Sequence, residues 1–398
     1  MSAPARKPTI SRQDFLRLSA TMGLAAALSS FLEACSQTGL STPTTAPTDI
    51  HTSLSPSPTT AGTLTATPTV EPSATAAATL KPTATSTAMP TAIPEHEMAQ
   101  VAFIKTSDRA AGVRKAIDLL GFNPVDRQSV FLKPNFNSAD PAPGSTHPEV
   151  LRATVRKLRE MGAQEISVGD RSGMGGTRKV METLGVYDMG AELGFEVINF
   201  STMGSNAWVM IRPPDSHWKV GFPIAGPCLA ADAVVQTCCL KTHQYGGHFT
   251  MSLKNSVGMV ASGLDGYTNQ FMDELHNSTH QRKMIAEINA AYTPALIVLD
   301  GVEAFTSGGP AQGRLVAPQV VLAGTDRVAI DAVGVAILRH FKTSYAVSNG
   351  PIFQQEQIAR AVELGLGVDS PHKIKLVTAD SQSASFAEQI QKILVADA

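Results

Sequence analysis

From about residue 100 onward, short apolar runs alternate with stretches of helical periodicity. Residues 101–104 form an apolar run that predicts a first strand. From Arg109 to Leu120 the spacing puts Val113, Ile117 and Leu120 on one helical face, and Gly121 ends the helix. Residues 129–132 predict a second strand, opening into Lys133-Pro134-Asn135. Pro148 suits the first position of a helix that runs to about Met161. Residues 165–170 predict a strand ending in Asp170, Thr177 caps the next helix, and residues 195–200 give a fourth strand. Further strands are expected at residues 233–235, 295–300, 320–324 and 373–377. Helices are expected at residues 281–291, from Asp326 through Leu338, and at 353–364. Two alternating runs, 208–211 and 217–220, are split by Pro213-Pro214-Asp215 and predict a small inserted hairpin. Strand and helix in alternation, with short connections, predict an α/β fold: a mostly parallel central sheet, helices on both faces and a small β insertion.

The first hundred residues carry a different pattern. Arg6, Lys7, Arg12 and Arg17 precede an apolar stretch at residues 18–32. As a helix that stretch spans only about 22 Å, against a hydrocarbon core of roughly 30 Å. It therefore reads as the h-region of an export signal. Leu32-Glu33-Ala34-Cys35 resembles a lipobox, which makes Cys35 the expected lipidation site. Residues 11–17 resemble a twin-arginine motif with Gln13 in place of the second Arg, so both the twin-arginine and the general secretion routes stay open. Residues 36–99 are rich in Thr, Ser, Pro and Ala, with few charges and few large apolar groups. Such a segment cannot offset its ordering entropy and reads as a disordered linker. The expected organisation is a signal at 1–35, a linker at 36–99 and one α/β domain at 100–398. The expected location is the outer face of the cytoplasmic membrane or the cell envelope, with a lipid anchor in the membrane.

Charge and composition remove several function classes. There are 32 basic and 34 acidic residues, and aromatics make up 6% of the chain. Neither the basic excess nor the stacking surface expected of a nucleic-acid partner is present. The four cysteines contain no C-x-x-C and no ferredoxin spacing, a pattern that argues against an iron–sulfur cluster. No phosphate-binding G-x-x-x-x-G-K-[ST], no G-x-G-x-x-G after the first strand and no G-x-S-x-G elbow occurs.

What remains is a set of polar strand ends. In an open parallel sheet, ligands bind at the carboxyl ends of strands. Four such ends carry Lys133 and Asn135, Asp170 and Arg171, Lys241 and His243, and Asp300 and Glu303. Lys254 and Asn255 follow the glycine-rich turn after His243. Three lysines at one locus repel one another; Asp170, Asp300 or Glu303 compensates in an empty site and a bound anion compensates better, so the expected ligand is a small anionic molecule. Lys241, His243 and Asp170 are the candidate catalytic groups. Lys133, Asn135, His147, Lys254, Asn255, Asp300 and Glu303 are the candidate ligand contacts. Plainer roles stand beside these: Lys133 as a surface lysine, Asp170 and Asp300 as loop caps, His243 as a core histidine. His147, His243, His248, Asp170 and Asp300 are of the types that hold a divalent metal, but no H-x-x-x-H or H-E-x-x-H spacing joins them. The reaction, and whether there is turnover or only binding of an anionic solute, stays open.

Eight segments occur in a fixed order: Lys133-Pro134-Asn135, Thr146-His147-Pro148-Glu149, Gly169-Asp170, Leu240-Lys241-Thr242-His243, residues 253–258, Leu299-Asp300-Gly301, Gly308-Gly309-Pro310 with Gly313, and residues 323–331. This ordered set resembles the bacterial and archaeal domain-of-unknown-function 362 family over residues 101–378. The resemblance implies no defined activity. Many members carry iron–sulfur cysteine motifs, which keeps a metal- or iron–sulfur-related redox role as an alternative. Twin-arginine signals are common among them, which favours export.

Overall fold

A computed structural model describes residues 98–396; the expected signal, Cys35 and nearly all of the linker lie outside the described residues. Twelve strands are present among them: β1 (Ala99–Lys105), β2 (Ser129–Lys133), β3 (Glu165–Asp170), β4 (Glu196–Asn199), β5 (Trp208–Ile211), β6 (Phe222–Ala225), β7 (Ala233–His243), β8 (His248–Thr250), β9 (Pro294–Gly308), β10 (Gly313–Val316), β11 (Val320–Gly324) and β12 (Ile374–Val377). The main sheet runs β12-β1-β11-β9-β7-β2-β3-β4, with β8 paired to β7 and β10 to β9. β12 and β1 are parallel, as are β9, β7, β2, β3 and β4 in succession. β11 alone along this path runs antiparallel to its neighbours, β1 and β9.

Helices cover both faces, so the expected α/β fold is the observed one. On one face Leu240, Leu299 and Leu322 pack under the helix Arg327–His340. On the other, Leu132, Val168 and Val298 pack with the helices Arg109–Leu119 and Pro148–Glu160. Among the described residues no helix is long and apolar enough to cross a membrane.

Two strands run much further than their apolar cores. β7 continues through Lys241-Thr242-His243 and is buried at all eleven positions. β9 continues through Glu303 to Gly308. The segments expected as polar loops after residues 235 and 300 are therefore strand. The reason is position: both strands lie mid-sheet, and several of their polar side chains find partners inside the fold. Thr242 Oγ1 donates to the Phe305 and Gly308 carbonyls at 3.2 Å each, and Ser252 Oγ donates to Gln236 Oε1 at 3.1 Å. A reading based on apolar runs stops at the first polar residue and misses this. The small inserted sheet also differs from expectation. β5 pairs with β6, not with residues 217–220, which fold as an irregular bend whose Trp218 is buried. The helix Phe271–Asn277 was not expected, although Phe271, Met272 and Leu275 give it a buried face.

β7 and β8 form a hairpin, with Lys241 opposite Thr250 and His243 opposite His248. The short helix Ser252–Asn255 follows. Its start is held from below by the long helix Arg327–His340. The Ser252 and Leu253 amides donate to the two carboxylate oxygens of Asp331 at 2.8 and 3.1 Å. Arg327, one turn earlier, donates to the Asn289 and Tyr292 carbonyls, while Asn289 Nδ2 donates to the Leu253 carbonyl at 2.9 Å. Asp331 is fully buried, so its loss strands two amides without water. Asp331→Ala is expected to lower the unfolding free energy by about 2 kcal/mol, the scale of a lost helix cap plus stranded donors. Urea denaturation of the folded domain checks this, and an unchanged midpoint would contradict it.

Candidate functional site

The sheet topology creates a crevice before any side chain is considered. β2 and β7 are parallel neighbours, but the chain leaves β2 toward β3 and leaves β7 toward β9, in opposite directions across the sheet. The connections diverge above their carboxyl ends, which is where an α/β sheet leaves room for a ligand. A cavity of about 390 Å³ lies there, lined by Lys133, Asn135, Asp170, Lys241, His243, Lys254 and Asn255. Seven of the ten expected site residues are thus brought together.

The three lysines reach the cavity from different elements and are held differently. Lys133 ends β2, and its ammonium lies 2.8 Å from Asp170 Oδ1, with the two side chains 1% and 3% exposed. It also donates to the Pro134 carbonyl and to Asn255 Oδ1. Asp170 accepts from the Phe136 and Arg171 amides as well, both at 2.7 Å. These three contacts tie Lys133 and two loop backbones to one carboxylate. Lys241 donates to the Gly144 carbonyl at 2.5 Å. The Lys254 ammonium makes no hydrogen bond or ion pair to any described residue, and its side chain is buried. Burial first, then the charges of Lys241 and Arg171, lower its ammonium to about 7. Burial lowers Lys241 to about 8, against opposing attraction from Cys239, Asp140 and Asp170.

Both cavity histidines are shifted toward the neutral form. Burial holds His243 well below the ordinary imidazole value, and Lys254 and Lys241 hold it lower still. Its Nδ1 is buried without a hydrogen-bond partner. His276, also lining the cavity, is lowered chiefly by burial. Its Nδ1 faces the Met272 carbonyl at 2.7 Å and must donate, which leaves Nε2 as an acceptor. Asn137 Nδ2 and Thr250 Oγ1 are further lining atoms that are buried without a partner. With His243 Nδ1 they make three of the seven buried side-chain atoms without a partner among the described residues; the other four lie elsewhere in the fold.

Two glycines are required by this packing. A Cβ on Gly258 would lie 2.0 Å from Asp170 Oδ1 and 2.9 Å from Lys133 Nζ. A Cβ on Gly247 would lie 2.7 Å from Lys254 Cε and 2.9 Å from His243 Nδ1, so those two atoms flank a single point.

His147, Asp300 and Glu303 lie outside the cavity lining. Asp300 and Glu303 bind Arg109, whose Nε and Nη2 lie 2.9 and 2.8 Å from the respective carboxylates. Burial raises the Asp300 carboxyl, with Arg109 opposing. His147 caps the helix Pro148–Glu160, its Nδ1 accepting from the Glu149 amide. Among the described residues no group of three or more His, Cys, Asp or Glu is placed to hold a metal ion. Nor do the cysteines fit an iron–sulfur cluster. Cys228, Cys238 and Cys239 are free, buried thiols, and Cys238 and Cys239 are successive on β7 and so face opposite sides of the sheet.

Several lining residues were not singled out as site residues from the sequence. Arg171, a polar strand end in the sequence but not among the candidate contacts, donates to the Val260 carbonyl at 2.8 Å. Thr250 becomes visible only once the hairpin register is known. His276 sits on the unexpected helix; the spacing of Phe271, Met272 and Leu275 was the available signal.

Removing the carboxylate from the buried pair leaves the Lys133 ammonium without its partner. Asp170→Asn is expected to cost about 3–5 kcal/mol, the range for breaking a buried ion pair from one side. Denaturant titration at neutral pH checks it; a loss below 1 kcal/mol, on the scale of an exposed pair, would contradict the geometry.

Comparison with known proteins places this architecture. The thylakoid-associated protein sll1697 of Synechocystis sp. is 27% identical over 237 residues, covering 58% of this chain and 70% of that protein. Residues 130–336, which include every cavity-lining residue named above, match the family described as Domain of unknown function. That match covers more than half of the chain, and the chain belongs to this family, DUF362.

Proposed function

We propose that the domain binds a small anionic molecule in the cavity between β2, β3 and β7, and acts on it as an enzyme. The observation that carries this is the charge inventory. Lys133, Lys241, Lys254 and Arg171 line the cavity, while the lining carboxylates are Asp170 and Asp273, and Asp170 is already bound to Lys133. An anion supplies the missing negative charge and acceptors for the unpartnered Asn137 and Thr250 groups. The carboxylate or phosphate of a metabolite has the right charge, and the volume suits a small molecule. Turnover is favoured over simple binding by Lys254. A lysine poised near neutrality can serve as base or nucleophile, which a passive anion holder does not require.

The second part of the proposal concerns place. The n-region, apolar stretch and Cys35 support export and attachment to a membrane through lipid, with the Ser/Thr/Pro-rich segment as tether. The relative's thylakoid association is in keeping with a membrane-surface position.

The anion reading has a definite pH sign. Below about pH 7 both Lys241 and Lys254 are charged and the clamp is complete. As pH rises through 7 and 8 they lose protons that the bound anion would otherwise retain. Sulfate affinity, measured by calorimetry, is therefore expected to weaken above pH 7, by up to about tenfold per pH unit for each proton taken up on binding. Lys254→Met is expected to weaken sulfate binding at pH 6 and to flatten this profile. Affinity unaffected by pH between 6 and 9 and by Lys254→Met would contradict the reading. For the tether, an alkyne-palmitate label is expected on the full-length chain and absent from Cys35→Ala; equal labelling of both would contradict it.

A further inference from the structure

The three lysines are not equivalent, and the difference points to chemistry. Lys133 is locked to Asp170, and Lys241 is committed to the Gly144 carbonyl. Both are suited to hold charge. Lys254 has no such commitment, and no carboxylate faces it to keep it protonated. Its neighbours are cations, Lys241 and Arg171, and burial acts in the same direction. For a purely electrostatic clamp this placement is counterproductive, because it favours the neutral amine. For a nucleophile it is what the reaction needs: a free amine lone pair next to fixed positive charge. His243 adds a neutral imidazole whose buried Nδ1 has no partner and flanks the same point beside Gly247 as Lys254 Cε.

We propose that Lys254 forms an imine with the carbonyl carbon of a small oxo acid whose anionic group is held by Lys241 and Arg171. This rests on the anion-pocket reading above and names its substrate class. The step balances without any oxidant or reductant. The Lys254 Nζ lone pair attacks the carbonyl carbon, forming the C–N bond while the C=O π pair moves to oxygen. One amine proton passes to that oxygen, giving a carbinolamine. The hydroxyl then takes a second proton, supplied by solvent water, and departs as water as the nitrogen lone pair forms C=N; the N–H is kept, so the product is an iminium. The unpartnered His243 Nδ1 is a hydrogen-bond group beside this amine, and water carries the proton between nitrogen and oxygen. The resulting iminium draws electrons from the adjacent carbon, the activation that decarboxylation, aldol cleavage or proton exchange next to a carbonyl requires. An oxo acid of three to five carbons fits a cavity of about 390 Å³.

The experiment is reductive trapping. The folded protein is incubated at pH 8 with pyruvate, glyoxylate or 2-oxoglutarate and cyanoborohydride, then read by intact mass and peptide mapping. The expected result is one reduced adduct per chain on Lys254 with at least one of these acids. It should be lost in Lys254→Arg, be suppressed by excess sulfate, and increase in yield from pH 6 to pH 8. That pH trend is opposite in sign to sulfate affinity, so the covalent step and the anion site are read separately. If calorimetry shows these acids entering the pocket in competition with sulfate, yet label is absent or spread over surface lysines, the imine is overturned and the anion pocket stands. If neither the acids nor sulfate bind, both are overturned. Peptide mapping of the wild-type protein decides the matter even if Lys254→Arg does not fold.

Discussion

An ammonium group taken out of water costs several kilocalories per mole unless charge and hydrogen bonds replace its hydration. Three lysines are buried around one cavity here, and the described carboxylate that is buried with them pairs with one of the three. The rest of the site follows from how that imbalance is managed. Lys133 is neutralised by Asp170, which is in turn held by two backbone amides. Lys241 is partly satisfied by a carbonyl and retains partial attraction to nearby acids. Lys254 meets the constraint the other way, by shedding its proton near neutrality. An anion in the cavity would reverse that last response, which is why binding and protonation are coupled in this account.

The scaffold is arranged to impose this arrangement against its electrostatic cost. β2, β3 and β7 are ladder-bonded strands, so Lys133, Asp170 and Lys241 have fixed backbones. Lys254 sits on a four-residue helix, too short to be stable alone. That helix is held by the Asp331 carboxylate on its first amides and by Asn289 on the Leu253 carbonyl. Gly247 and Gly258 let backbone pass within contact distance of the charged groups. The pocket is thus built on rigid elements, and the energy for placing like charges together comes from packing in the surrounding core.

Much of this was legible in the chain itself. Alternating apolar runs and helical periodicity gave the α/β fold, because strands buried on both faces leave continuous apolar stretches. Lys133, Asp170, Lys241, His243, Lys254 and Asn255 were recognisable as one set, since each follows a strand or a glycine turn and strand ends converge in a parallel sheet. Asp300 and Glu303 follow the same rule but are turned to Arg109. Nothing local distinguishes an acid that faces the crevice from one that faces a helix on the other side. The extent of β7 and β9 was hidden because their final residues are polar and become strand only through partners distant in sequence. Thr250 entered the site through register and burial, which periodicity does not encode.

The central claim is that this cavity holds an anion between Lys241 and Lys254. The most direct measurement is a crystal structure of the folded domain soaked with selenate at pH 6, with the selenium located by anomalous scattering. The account predicts a selenium peak inside the cavity, with an oxygen about 2.7–3.2 Å from the Lys241 or Lys254 ammonium. Selenate found only on the outer surface, with the cavity filled by water alone, would contradict it.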